Sequence, residues 1–174
     1  MPLLEAAMGA PGRRTVGGKV GAAFLTELLV LAAQWSPALA ADPQGVWLTE
    51  DKDAALTITT CGSRLCGRII WLESAIGGGG SLRKDQQNPD PAKRTQGICG
   101  LLVINDLASS GPNTWEGNVY NPEDGKTYSG NITVLSEQAL KLRAYMGLPI
   151  FGRSQTWTRV NSQAADGYTC RIRE

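Results

Sequence analysis

The sequence predicts an all-β protein, a small antiparallel up-and-down barrel of about eight strands. Three observations predict it. Short runs alternate apolar and polar residues with a period of two. Clusters of Pro, Gly, Asn, Asp and Ser separate those runs. No long run carries the 3.6-residue period of a helix. A two-sheet sandwich would use the same strands, but closing the sheet on itself removes its edges.

Residues 1–40 read as a secretory signal rather than as part of the fold. Arg13, Arg14 and Lys19 precede the apolar stretch Val20 to Ala33, and Ala38-Leu39-Ala40 supplies an A-x-A cleavage site after Pro37. The stretch is too short to anchor in a bilayer. The long basic region leaves Met8 as a second possible start. Sec and twin-arginine export both stay open, because Arg13-Arg14 stands in a poor context for the latter. With no cysteine at the cleavage site, a lipid anchor is not expected.

The strands follow in order. Val46–Glu50, Ala54–Thr60 and Leu65–Glu73 are the first three candidates, with Cys61 to Cys66 around the second connection. A long connection, Ser74 to Gly97, then carries Gly77-Gly78-Gly79-Gly80 and Asp85-Gln86-Gln87-Asn88-Pro89-Asp90-Pro91. Connections of this length are usually functional or mobile. Leu101–Asn105 and Trp115–Tyr120 come next, and Asn121-Pro122-Glu123-Asp124-Gly125 has the chemistry of a turn. In the run Lys126 to Val134, Tyr128, Gly130, Ile132 and Val134 share a face. Leu140, Leu142 and Ala144 then alternate with Lys141, Arg143 and Tyr145, and Gln155–Val160 is the last strand. Residues 41–160 therefore form one domain, and 161–174 a C-terminal tail.

Composition bounds the function. The 174 residues hold 17 Lys+Arg against 16 Asp+Glu, a net charge of +1. Removing the leader takes three cations and two anions, leaving the remainder formally neutral. Without a basic block, nucleic-acid binding is not expected. There is no histidine, so Ser-His-Asp and Cys-His catalysis and His-zinc sites are impossible. No matched carboxylate or lysine pair replaces them, and we expect neither an enzyme nor a bound cofactor or metal. No second apolar segment approaches membrane-spanning length, so the product is expected in the periplasm or secreted.

All four cysteines lie beyond the leader, and an even number in an oxidising compartment favours disulfides. Three pairings are possible. A hairpin would bring Cys61 to Cys66, which leaves Cys99 for Cys170. In the chain-entropy model the short loop contributes about 2 kcal/mol and the long one about 4.

Gly45-Val46-Trp47 opens the first strand and Arg159 sits in the last. This resembles the lipocalin-type barrel, where a G-x-W tryptophan closes the floor beneath a basic side chain. A guanidinium over a Trp face is worth about 1 kcal/mol. Longer stretches carry a second resemblance: Gly45–Asp53, Cys61–Leu72, Asn88–Arg94, Tyr120–Tyr128 and Gly147–Val160 are similar to the exported bacterial domain-of-unknown-function family numbered twenty-one forty-seven. The resemblance implies a small, exported, lipocalin-like barrel with no established activity. It supports the Cys61–Cys66 pair, whereas Cys99, Cys170, the tail and the tetraglycine depart from its pattern.

Several groups are candidates for binding. Trp71, Trp115, Tyr128 and Trp157 are expected to line the barrel, with Arg143 or Arg153 orienting a polar end. The ligand would be small and apolar or amphipathic. A filled barrel would instead point to an envelope interaction protein, acting through the Ser74–Gly97 connection or the Leu148–Phe151 run. The apolar run Met146 to Gly152 is expected to fold inward and plug one end of the barrel, in preference to forming a lid at its mouth or a surface that touches lipid or a partner. Asp85, Asn88 and Asp90 could supply calcium oxygens, but Asx-turns beside prolines account for them better. Glu123 and Asp124 are expected to be solvated turn residues, and Asn131-Ile132-Thr133 a chance sequon within a strand.

Overall fold

The computed structural model describes residues 42–77 and 80–170, so the predicted leader and Gly78-Gly79 lie outside the described residues. Eight antiparallel strands form one closed barrel in chain order. They are β1 (Gly45–Leu48), β2 (Ala54–Cys61), β3 (Arg64–Leu72), β4 (Leu102–Gly111), β5 (Thr114–Asn121), β6 (Lys126–Ser136), β7 (Ala139–Tyr145) and β8 (Arg153–Val160). Pairing of β1 with β8, Trp47 opposite Arg159, completes the closure.

The expected strands are present. β4 runs well past Asn105, through Asp106 in the left-handed region at φ 58°. A register shift between Asn105 and Ala108 marks a bulge there. The polar residues that read as the end of a strand are the bulge that bends it.

One face of each strand builds the core. Trp47, Leu56, Ile58, Leu65, Ile69, Ile104, Leu107, Ile132, Val134, Leu140, Leu142 and Trp157 are buried together. Two glycines on inner faces have their space taken by neighbours. A Cβ on Gly67 would lie 2.8 Å from Ile104 Cδ1, and one on Gly130 2.4 Å from Val119 Cγ2. These side chains fill the barrel in the way small barrels are filled.

The two ends differ. At the floor, the Trp47 indole N–H donates to the Pro43 carbonyl at 2.8 Å, and the Arg159 guanidinium lies 4.1 Å over the Trp47 ring. Arg159 also donates to the carbonyls of Glu137, Gln44 and Asp42 at 2.5, 2.5 and 2.6 Å. One arginine thus joins the chain before β1, the β6–β7 turn and β8.

Alternation of strand direction puts the β1–β2, β3–β4, β5–β6 and β7–β8 connections at the opposite, open end. The β7–β8 run corrects an expectation. Met146, Leu148, Ile150 and Phe151 are 58%, 63%, 77% and 78% exposed, so they do not plug the barrel. Pro149–Phe151 forms a 3-10 turn, and Arg143 donates to the Pro149 carbonyl and to Ser154 Oγ. That clasp turns the run outward. The long β3–β4 connection does the covering instead, since Ile98 at its end is buried in the core.

Both disulfides form as expected, Cys61–Cys66 and Cys99–Cys170. The second ties the tail, with its short helix α1 (Ser162–Ala165), to the end of the long connection.

Candidate functional site

The long connection is ordered around one carboxylate. Asp85 is fully buried. Its Oδ1 accepts from the Tyr120 hydroxyl at 2.7 Å, and its Oδ2 from Asn88 Nδ2 at 2.6 Å and Gln96 Nε2 at 3.2 Å. Burial, then the hydrogen bond and charge of Asp85, push the Tyr120 phenol up to about 12. Asn88 and Asp90 close Asx-turns, accepting from the N–H groups of Asp90 and Ala92 at 2.9 and 3.0 Å. Their oxygens organise backbone, which is the turn reading rather than the calcium one.

This segment seats on the β5–β6 hairpin. Gly125, at φ 69°, packs so tightly that a Cβ would lie 1.9 Å from the Gln87 carbonyl oxygen. Arg83 pairs with Glu123 at 3.6 Å. An open cleft of about 690 Å³ runs between these two pieces, past Arg83, Lys84 and Pro122. A second, about 800 Å³, lies between Trp71–Ile76 and the tail.

The expected wall residues divide. Tyr128 shares the inner face of β6 with the buried Ile132, and Trp157 and Arg153 share that of β8. Trp115, opposite Ile132, packs against the core. Trp157 is buried and donates from its indole N–H to Gln155 Oε1 at 2.9 Å. Trp71 and Arg143 do not face the interior. A register shift between Ala55 and Leu56 places Ile69 opposite Leu56 but Leu72 opposite Ala54, so the period of two breaks at residue 70. Leu72 packs on the core, while Trp71 meets Tyr168 of the tail edge-on, centroids 5.2 Å apart. Arg143 lies on the opposite face of β7 from the buried Leu140 and Leu142, and its guanidinium serves the clasp already described.

Arg153 therefore stands at the rim on the inner face, exposed. Three acids of the open end are engaged. Glu50 accepts from the Thr156 N–H at 2.6 Å, Asp53 from the Thr49 hydroxyl at 2.6 Å, and Asp124 from the Tyr128 hydroxyl at 2.5 Å. The bond to Asp124, then burial, raises the Tyr128 phenol above its ordinary value, against the opposing pull of Arg153. Burial opposes ionisation of Asp124, but the Tyr128 hydroxyl and the Lys126 N–H outweigh it and hold the carboxyl below its usual range. Arg153 makes no ion pair or hydrogen bond from its side chain among the described residues.

Sequence reasoning missed Tyr120, Gln96 and Gly125 as organisers of the open end. In the sequence Asp85 offers only its oxygens; a lone acid in a polar stretch carries no signal of burial.

The barrel is similar to one solved structure, protein HP1028 from the human pathogen Helicobacter pylori, described as belonging to the lipocalin family. Identity is 21%, the match covers 77% of this chain and 94% of that one, and the TM-score is 0.65. The likeness is one of fold. No curated protein matches the chain. The family model for uncharacterized proteins conserved in bacteria, DUF2147, matches residues 45–159, from the first residue of β1 to the arginine of the floor. Across that whole barrel, the chain belongs to the DUF2147 family.

Proposed function

We propose that this protein is exported and binds a small anionic amphipathic molecule at the open end of its barrel, without catalysing a reaction. One observation carries the reading: Arg153 stands on the inner face at the rim, exposed and with no ion pair or side-chain hydrogen bond among the described residues, while Glu50, Asp53 and Asp124 at the same end are each engaged by another group. A guanidinium so placed offers a two-pronged donor to a carboxylate or phosphate. Packed side chains occupy the barrel below, so this reading moves the ligand from the interior, where the sequence places it, to the rim, and departs from the expectation that a filled barrel acts through its connections alone. Support for the binding class comes from the lipocalin-like fold. Two cystines suit an oxidising compartment. No helix among the described residues is long and apolar enough to cross a membrane.

The test is calorimetric titration of the oxidised protein with laurate and with the matching uncharged alcohol. Laurate should bind the more tightly, and Arg153→Gln should weaken laurate about tenfold while changing the alcohol little. Equal affinity for the two amphiphiles, or binding of neither, would remove the reading.

A further inference from the structure

We infer that the β7–β8 connection is a contact for an anionic lipid surface, its apolar tip entering the headgroup region. The inference is independent of the proposed ligand and of Arg153. Its first ground is exposure. Met146, Leu148, Ile150 and Phe151 have more than half of their surface in solvent, within one short connection. Isolated exposed apolar residues are ordinary, but a contiguous set marks a contact surface.

The second ground is that the tip is held in this posture. Arg143 donates from two of its nitrogens to the Pro149 carbonyl and from the third to Ser154 Oγ. Gly152 lies tight against β7, where a Cβ would come 2.8 Å from the Ala144 carbonyl oxygen and 2.9 Å from Tyr145 Cβ. The apolar side chains are thus presented outward by a clasped turn, and ordering it on contact costs little.

Charge supplies the third ground. Lys141, Arg143 and Tyr145 alternate along the outer face of β7, leading up to the tip. Neither cation has an acidic partner among the described residues. Apolar tip, then tyrosine, then cations is the order in which a bilayer surface presents acyl chain, interface and anionic headgroup. A protein partner would need a pocket matched to each protruding side chain. A lipid surface takes a narrow apolar tip without one.

The test is flotation of the protein, purified as the cell makes it and with its N-terminus verified by mass, with two kinds of vesicle. One is phosphatidylglycerol mixed with phosphatidylcholine, the other phosphatidylcholine alone. The wild type should float with the anionic vesicles and less with the neutral ones. Exposed residues are changed in the double variant Ile150→Ser/Phe151→Ser, which should keep the wild-type melting curve and lose about tenfold or more in partitioning. Lys141→Gln should weaken anionic binding while leaving the small neutral component. Three results would overturn the inference: no flotation of the wild type, equal flotation of the double variant, or a wild-type dimer that the double variant converts to monomer. The last would make the tip an interface between copies.

Discussion

Trp47→Ala is expected to cost about 3–5 kcal/mol of stability, the range for removing a large aromatic from a core. The side chain is fully buried, and its loss does more than leave a cavity. The Pro43 carbonyl loses its indole donor, and Arg159 loses the ring 4.1 Å beneath it. Arg159 in turn holds the carbonyls of Asp42, Gln44 and Glu137, so both sides of the barrel seam loosen together at the floor. The measurement is urea unfolding of the oxidised protein, comparing midpoints and slopes. Trp47→Phe should cost much less, because it keeps a ring under the guanidinium and gives up mainly the indole N–H. A cost under about 1 kcal/mol for the alanine variant would mean that the floor contributes little to closure.

The floor was legible in the sequence because it rests on local signals: Gly45 before Trp47 at one end of the domain, Arg159 at the other. Strands were legible for the same reason, each carrying its own period of two. The Cys61–Cys66 bridge follows from a hairpin only a few residues long. The rim was harder. Trp71 reads as barrel wall in the sequence, and that expectation fails because the register slips at residue 70. Arg143 and Arg153 stay alternatives in the sequence because parity sorts side chains into two sets without saying which set faces inward. Burial of Leu142 on β7 and Trp157 on β8 decides it. The Met146–Gly152 run read as a plug because apolar residues are usually buried. Its outward posture depends on the Arg143 clasp, a contact that hydrophobicity does not encode. Asp85 needed Tyr120 and Gln96, distant in sequence, before its burial made sense.

Asp85→Ala is expected to release the long connection from the barrel while the strands persist. Removing the carboxylate leaves the Tyr120 hydroxyl, Asn88 Nδ2 and Gln96 Nε2 without their acceptor, each orphaned donor costing about 1–3 kcal/mol if it stays buried. Undocking lets water satisfy them, so the segment should open rather than hold that strain. Trypsin can report this, since Arg83, Lys84, Lys93 and Arg94 lie in the segment. Cleavage there should rise about tenfold or more, with the barrel fragment intact. Alkaline pH reaches the same latch without mutation. The Tyr120 phenol titrates near 10 when unfolded and at about 12 in the fold, so the folded state holds its proton more tightly. Its stabilisation is complete below pH 10 and is lost as pH rises through about 12. Hydrogen exchange read over minutes, before alkali attacks the disulfides, should show residues 80–98 losing protection across that window. Tyr120→Phe should remove the Tyr120 step from the profile. An unchanged tryptic pattern in Asp85→Ala would show that contacts such as Gly125 against Gln87 suffice to seat the segment.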